Sequence, residues 1–349
     1  MNLSRNQYGK AGWGIGVALV LFGLFLTAIP AQAVGTAAGT TISNTASIAY
    51  QDAAANSYTA TSNTVDVTVS SVFTVSVSCA VNQSAPSNST AYYACTLTNT
   101  GNASNTFALS VASVPGWTTG LYADDGVGGG TLNDGIHQAG ETTVTASTGA
   151  IVADATYKFF MAATVPSGTA NGTTSVSTLT VVGSGDAGVG DDTTVARTTT
   201  AQAPALTVSK KVKNFTTTPG GGAASFVASG VTAKPGETLE YQVLINNGGA
   251  IQATSVVLQD ALDTNVNYVA GSLWVGSDNS ANNGGTNANK NDAAAGDAAC
   301  AVDACGAASY AAGTPNKVWF YLGNTANETT GGTLASASSV YAYYKVTVK

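Results

Sequence analysis

Charge is what this chain lacks most. Only 9% of its 349 residues are Asp, Glu, Lys or Arg, against roughly 25% in an ordinary soluble domain. With 12 Lys and Arg and a formal net charge of -7, it offers no surface for nucleic acid, whose phosphates demand clustered cations. The sole basic cluster is Lys210, Lys211 and Lys213, placed as lysines that guard an exposed strand edge. Histidine is scarcer still. The one copy, His137, lies in a Gly/Asp-rich turn and reads as solvent-facing, not as the positioned base of a Ser–His–Asp or Cys–His device. A zinc site has no CxxC spacing and too few imidazoles. The run Pro219-Gly220-Gly221-Gly222 lacks the lysine of a phosphate loop and opens no helix. No strand-borne carboxylate pair stands out for glycoside hydrolysis. No catalytic residue is assigned.

What is present is β-pattern. Apolar residues make up 44% of the chain, too many for disorder, and Val, Thr, Ile and Tyr recur at period two with Gly and Asn between runs. A folded protein of this composition has a neutral surface rich in hydroxyls and amides. Such a surface loses less on desolvation than a charged one and suits packing against copies of itself.

The N-terminus sets an expected compartment. Arg5 and Lys10 precede the apolar run Gly14–Ile29, and Pro30 leads to Ala31-Gln32-Ala33. This order predicts a signal peptide over 1–33, cleaved after Ala33; the alternative is an uncleaved anchor, for which the run is short of the ~20 residues a spanning helix needs. No second long apolar run follows, and Val340–Val348 reads as a strand. The mature chain is therefore expected outside the cell, with no membrane span.

Residues 34–71 hold two alternating patterns, Thr41–Tyr50 and Ser57–Val69, joined by Asp52–Asn56, the signature of a hairpin. A first sandwich module is expected over 72–203 and a second over 204–349, with Ala201-Gln202-Ala203-Pro204 as the linker. Cys79 and Cys95 fall in neighbouring strand patterns, and Cys300 and Cys305 would close a small loop; proximity and export favour the pairs 79–95 and 300–305. Tyr93 precedes a strand ending in Asn99-Thr100-Gly101, and Tyr241 precedes one ending in Asn247-Gly248-Gly249. This internal echo predicts two copies of one sandwich type, each turning on Asn and Gly. Trp117 is expected to plug the first core, an exposed sugar-stacking ring being the alternative. The fold class is all-β: tandem immunoglobulin-like antiparallel sandwiches behind an N-terminal hairpin or strand segment.

The second module carries the longest ordered block. Leu206–Val212 leads to the turn Lys234-Pro235-Gly236-Glu237, then to a strand alternating at Leu239, Tyr241, Val243 and Ile245, the Asn246–Gly249 turn, and a strand at Ser255–Gln259. With Asp260-Ala261-Leu262 and Tyr268-Val269-Ala270-Gly271-Ser272, the block resembles the conserved repeat domain of bacterial and archaeal surface proteins, the group called domain of unknown function eleven. The resemblance runs from about Ala203 to the C-terminus. It implies an immunoglobulin-like sandwich on cell-surface or filament proteins and implies no catalytic residue.

One constellation has site chemistry. Leu121–Glu141 gathers Asp124, Asp125, Asn133, Asp134 and Glu141 among glycines, the oxygen donors that Ca²⁺ takes on a flexible turn; the alternative is a loop whose Asp and Asn cap their own backbone. The chain requires no cofactor otherwise. Gly185–Asp192 is a weaker acidic loop, and Lys210 with Glu240 is the candidate pair for an intramolecular cross-link. The expected function is non-enzymatic: a secreted structural subunit of a filament, sheath or surface layer. In it the strand Thr41–Tyr50 is donated to the next copy or folds back on its own chain. The alternative is an adhesin or carbohydrate-binding module using the long loop Val275–Ala299 beside Trp274. Expected partners are the chain itself, then other surface proteins or glycans.

Overall fold

A computed structural model describes residues 35–145, 147–185, 191–219, 223–277, 288–290, 292, 302–303, 305–313 and 315–349. The predicted signal peptide, Cys300 and most of the loop 275–299 lie outside the described residues. Among the described residues no helix is long and apolar enough to cross a membrane.

The chain opens as the hairpin its patterning predicts. Strands β1 (Thr41–Asn44), β2 (Ser47–Gln51), β3 (Ser57–Thr61) and β4 (Val65–Thr68) pair as β1 with β4 and β2 with β3. Midway, residues 62–64 oppose 45–46, one more residue on the returning arm. That is a bulge, and Ser62 staples it: its N–H donates to Ala46 O, and its Oγ accepts from Ala46 N.

The first module runs through β5 (Val75–Cys79), β6 (Gln83–Pro86), β7 (Thr90–Asn99), β8 (Asn105–Val114), β9 (Thr118–Ala123), β10 (Ser147–Ile151), β11 (Thr156–Thr164), β12 (Thr174–Gly183) and β13 (Thr193–Gln202). They form two sheets, β10-β8-β12-β13-β6 and β5-β7-β11-β9. Alternation along β7 turns Ala91, Tyr93, Cys95 and Leu97 inward, where they meet Phe107, Phe159, Met161 and Leu179. Trp117 belongs to this buried core. Buried Tyr93 keeps its hydroxyl satisfied on Thr198 O and Thr199 Oγ1. Cys79 and Cys95 are cross-strand partners on β5 and β7 and form the expected disulfide, Cα to Cα 4.0 Å. The segment between them is more than a turn: β6 crosses to the other sheet and lies parallel to β13.

That parallel pairing removes the predicted linker. Ala201 and Gln202 are the last residues of β13, opposite Ala85 and Pro86, and Ala201 is buried. The joint is Ala203–Ala205, held from both sides. Ala203 N donates to Asn171 Oδ1, Ala205 N to Asn247 Oδ1, and Ala250 N to Asn171 Oδ1.

The second module comprises β14 (Leu206–Asn214), β15 (Thr238–Asn247), β16 (Val257–Ala261), β17 (Val266–Tyr268), β18 (Trp274–Gly276), β19 (Ala288–Asn289), β20 (Gly306–Ala311), β21 (Lys317–Leu322) and β22 (Ser339–Val348). One sheet is ordered β14-β15-β22-β18-β19, with β17 also on β22; the facing sheet is β16-β21-β20. Val243, Ile245, Phe320, Leu334 and Tyr344 form its core. The strand expected from Ser255 starts at Val257. Ser255 takes a left-handed φ of 55°, and Val256 N is committed to Gly332 O, so the chain is still turning there.

The internal echo is a shared corner. Asn99 donates through Nδ2 to Ala103 O and Ile151 O, and its Oδ1 accepts from Gly101 N. Asn247 repeats this with Ile251 O, Leu334 O and Ala335 O as acceptors and Gly249 N as donor, and adds Ala205 N. Both side chains are fully buried. In each copy a glycine two residues on lets the chain leading into the module pass. A Cβ at Gly101 would collide with Val72 O, and one at Gly249 with Ala203 O. The same four-residue device ties down the strand end and the start of each sandwich.

Register also reassigns the lysines of β14. Lys213, not Lys210, is the cross-strand partner of Glu240. Lys213 Nζ lies 3.0 Å from Glu240 Oε2, with both side chains buried, and the Phe215 and Phe226 rings flank the ammonium. Lys210 points to the opposite face, into the sandwich, and pairs with Asp260 of β16 over the Tyr241 ring. The expected Lys210–Glu240 pair does not exist, because three residues of β alternation separate the two lysines onto opposite faces. Lys211, on the same face as Lys213, stands exposed on the edge.

Candidate functional site

The acidic loop folds back over the outer face of the four-stranded sheet. Tyr92, Tyr122 and Phe160 lie there on three adjacent strands, and His137 packs among them, stacked on Tyr92 with ring centroids 3.7 Å apart. The expectation of a solvent-facing histidine is thus corrected: those aromatics need a cover, and the imidazole supplies it. Burial holds the His137 pKa below its ordinary value.

The five calcium candidates are placed on this loop, and four of them each turn one carboxylate oxygen to a local amide. Asp124 Oδ2 accepts from Gly135 N, Asp125 Oδ1 from Val127 N, Asp134 Oδ1 from Ile136 N, and Glu141 Oε2 from Gln138 N. Asn133 stands at a left-handed φ of 60° and offers its carbonyl to Lys158 Nζ. Among the described residues no three His, Cys, Asp or Glu side chains come together as a metal-holding group. These amide bonds are those of a self-capped loop, and Asp124 Oδ1 and Glu141 Oε1 are buried with no hydrogen-bond partner among the described residues. In the second acidic loop, buried Asp191 accepts from Asn105 Nδ2 and Gly185 N; residues 186–190 lie outside the described residues.

Glu141 is the strained member. Burial raises its pKa most; nearby Asp124, Asp125 and Asp134 add to the rise, against the Gln138 amide. An acid with a raised folded pKa contributes stability at low pH that is lost as pH climbs from its ordinary value through the raised one. His137, with a depressed pKa, acts oppositely, its contribution falling away as pH drops below the ordinary imidazole value. Glu141→Gln should therefore raise the melting temperature at neutral pH and remove the loss of stability that sets in as pH climbs above the ordinary carboxylate value. Melting curves from pH 4 to 8, with and without millimolar Ca²⁺, check this. A calcium-dependent rise abolished by the substitution would assign the ion instead.

The larger exposed feature is the hairpin. Every residue of its four strands is exposed, and Ile42, Ile48, Tyr50, Tyr58, Val65 and Val67 are each 44% to 60% accessible. They are not scattered. Ile42 opposes Val67, Ile48 opposes Ala60, and Tyr50 opposes and stacks on Tyr58 at 5.4 Å. Alternation places Thr41, Ser43, Asp66 and Thr68 on the reverse face. An isolated two-stranded hairpin is marginal in water, and this one is fastened at both ends.

At its root Asn102 donates through Nδ2 to Thr36 O and Ser70 O and accepts Val72 N on Oδ1, clamping both legs to the first module. At its tip Asp52 accepts Ala54 N and Asn56 N on Oδ1, and Asn56 Nδ2 and the Tyr58 hydroxyl on Oδ2. These bonds, the Asn56 side chain first, bring the Asp52 pKa from 3.8 down to about 2. Stability from a depressed acid is present above the unfolded pKa and disappears as pH falls through the folded one. The protection of the Ala54 and Asn56 amides, measured against their intrinsic exchange rates, should be lost as pH falls from 3.8 toward 2.

No family model matches the chain, and no curated relative matches it. Solved structures that the chain resembles include two of low similarity. Surface layer protein SbsC, domains 4–9, is 15% identical with a TM-score of 0.21, covering 87% of this chain and 39% of that one. A family 123 glycoside hydrolase from Clostridium perfringens is 11% identical with a TM-score of 0.25, covering 37% and 27%. The chain spans well under half the length of either. At these scores neither likeness bears on what the chain does.

Proposed function

We propose that the chain is an exported structural subunit that assembles with copies of itself into a filament, sheath or surface layer by donating its N-terminal hairpin. The observation that carries this is the hairpin: a fastened, two-stranded element whose one apolar face is about half accessible along its whole length. Monomeric soluble proteins rarely keep such a patch without a partner, and strand addition is the recognition mode open to bare β edges. The Cys79–Cys95 disulfide supports an oxidising compartment. The neutral, amide-rich surface lowers the desolvation cost of packing copies. Kinship of the second module with surface repeat domains is part of the same reading, supported by the order of its turn, strand and Asn–Gly corner.

The test is microscopy of purified residues 34–349. Polymers are expected by negative stain, and removal of residues 35–71 should abolish them while both sandwiches stay folded by circular dichroism. Polymers of normal form from the truncated chain would sink the hairpin's role. A monomer that binds a glycan array would replace assembly with adhesion.

A further inference from the structure

The acceptor for the hairpin is written in the second module. Among the described residues strand β14 is a sheet edge, paired with β15 alone until Val227 bridges to Val212. Its first six residues, Leu206–Lys211, are exposed, a bare backbone row of roughly 20 Å at the ordinary strand rise. Strand β16 is the matching edge of the facing sheet. Between the two edges lies a cleft of about 210 Å³, lined mostly by apolar side chains including Leu206, Val208, Ile245 and Val257, with Thr254 and Ser255 also at its wall. Leu206, Val208 and Val257 are 44%, 60% and 43% exposed. Deeper along β14, the Lys210–Asp260 ion pair ties the two edges together, with the Tyr344 hydroxyl donating to the same carboxylate.

We propose that the β4 arm of one copy's hairpin seats beside β14 of a second copy and closes this cleft. The inference rests on the self-assembly reading and names its acceptor. Two faces fit at once. Val65 and Val67, with Ile42 across from Val67, form the apolar side of the hairpin and meet Leu206 and Val208, which β14 turns inward. Asp66, on the reverse side, then lies on the outer face that carries Lys211.

Charge agrees with shape. Residues 35–71 contain Asp52 and Asp66 and no Lys, Arg or His; on β14, Lys210 and Lys213 are matched by Asp260 and Glu240, and exposed Lys211 supplies the positive charge of the outer face. Donor and acceptor are different surfaces, residues 41–68 and residues 206–258, so the contact is heterologous and builds a ring or an open chain rather than an isologous dimer.

The experiment uses two single variants of the chain 34–349, each altered at an exposed residue. Val67→Asp disables the donor and leaves the cleft; Val208→Asp disables the cleft and leaves the donor. In analytical ultracentrifugation each variant alone should be monomeric. Their 1:1 mixture should form a dimer that grows no further, because only one competent hairpin and one competent cleft face each other. Lys211→Glu should slow assembly about tenfold at low salt, with recovery when Asp66→Lys is added. Wild-type polymers that persist in Val208→Asp would overturn the acceptor while leaving self-assembly intact, as would loss in Val67→Asp alone, the result of hairpin packing on hairpin. A wild-type chain that stays monomeric at all concentrations would overturn both.

Discussion

Asn247→Ala should destabilise the second module by about 3–5 kcal/mol, lowering its melting temperature by roughly 10–15 °C. The side chain is fully buried, donates to three carbonyls and accepts two amides. Alanine leaves all five groups without that partner where little water reaches, and each such group costs about 1–3 kcal/mol before relaxation. The non-additivity of one network keeps the total below the sum. Asn247→Asp should be no milder, because a carboxylate oxygen would then face carbonyl oxygens. Asn99→Ala in the first module removes three side-chain bonds and should cost less. Calorimetry of the single variants reads the ranking. Equal small losses of under about 1 kcal/mol in both would show that these corners are decorative.

The second large effect is expected at Lys213. Lys213→Met leaves the buried Glu240 carboxylate facing a thioether, with half-buried Lys345 as the neighbouring cation. Burial and the Lys213 charge both lower the Lys345 pKa, against Glu240. Breaking one side of a buried pair costs about 3–5 kcal/mol, whereas replacing both sides by apolar groups is often neutral or better. Lys213→Met with Glu240→Leu should therefore recover most of the loss. Denaturant unfolding of the two singles and the double closes the cycle. A double variant as unstable as the sum of the singles would mean that the Phe215 and Phe226 wall, rather than the ion pair, sets the cost.

The two sites differ in how far they could be seen in the sequence. The Asn–x–Gly echo was legible because the device is local: an asparagine, a glycine two residues on and a carbonyl four residues on. The Lys213–Glu240 pair was not. It depends on a register between strands separated by more than twenty residues, and a different register would have matched Lys210. His137 shows the same limit. Nothing near it in sequence announces that Tyr92, Tyr122 and Phe160 come together from three strands and need covering. The calcium expectation rests on oxygen donors clustered in a glycine-rich turn, and what the sequence does not show is that the loop's own amides take one oxygen from each of four of them.

What the sequence determined alone is the period-two alternation, the hairpin with its Asp52 turn and the Cys79–Cys95 pairing. It also determined the core position of Trp117 and the two-sandwich plan. These follow from local propensity and from burial of every second side chain. Tertiary structure decided what long-range register controls. It sent β6 across to the far sheet, made a strand end of the expected linker and chose Lys213 over Lys210. It also left β14 and β16 as facing edges around an apolar cleft. Which edges stay bare depends on how many strands each sheet recruits, and that count is a property of the whole fold.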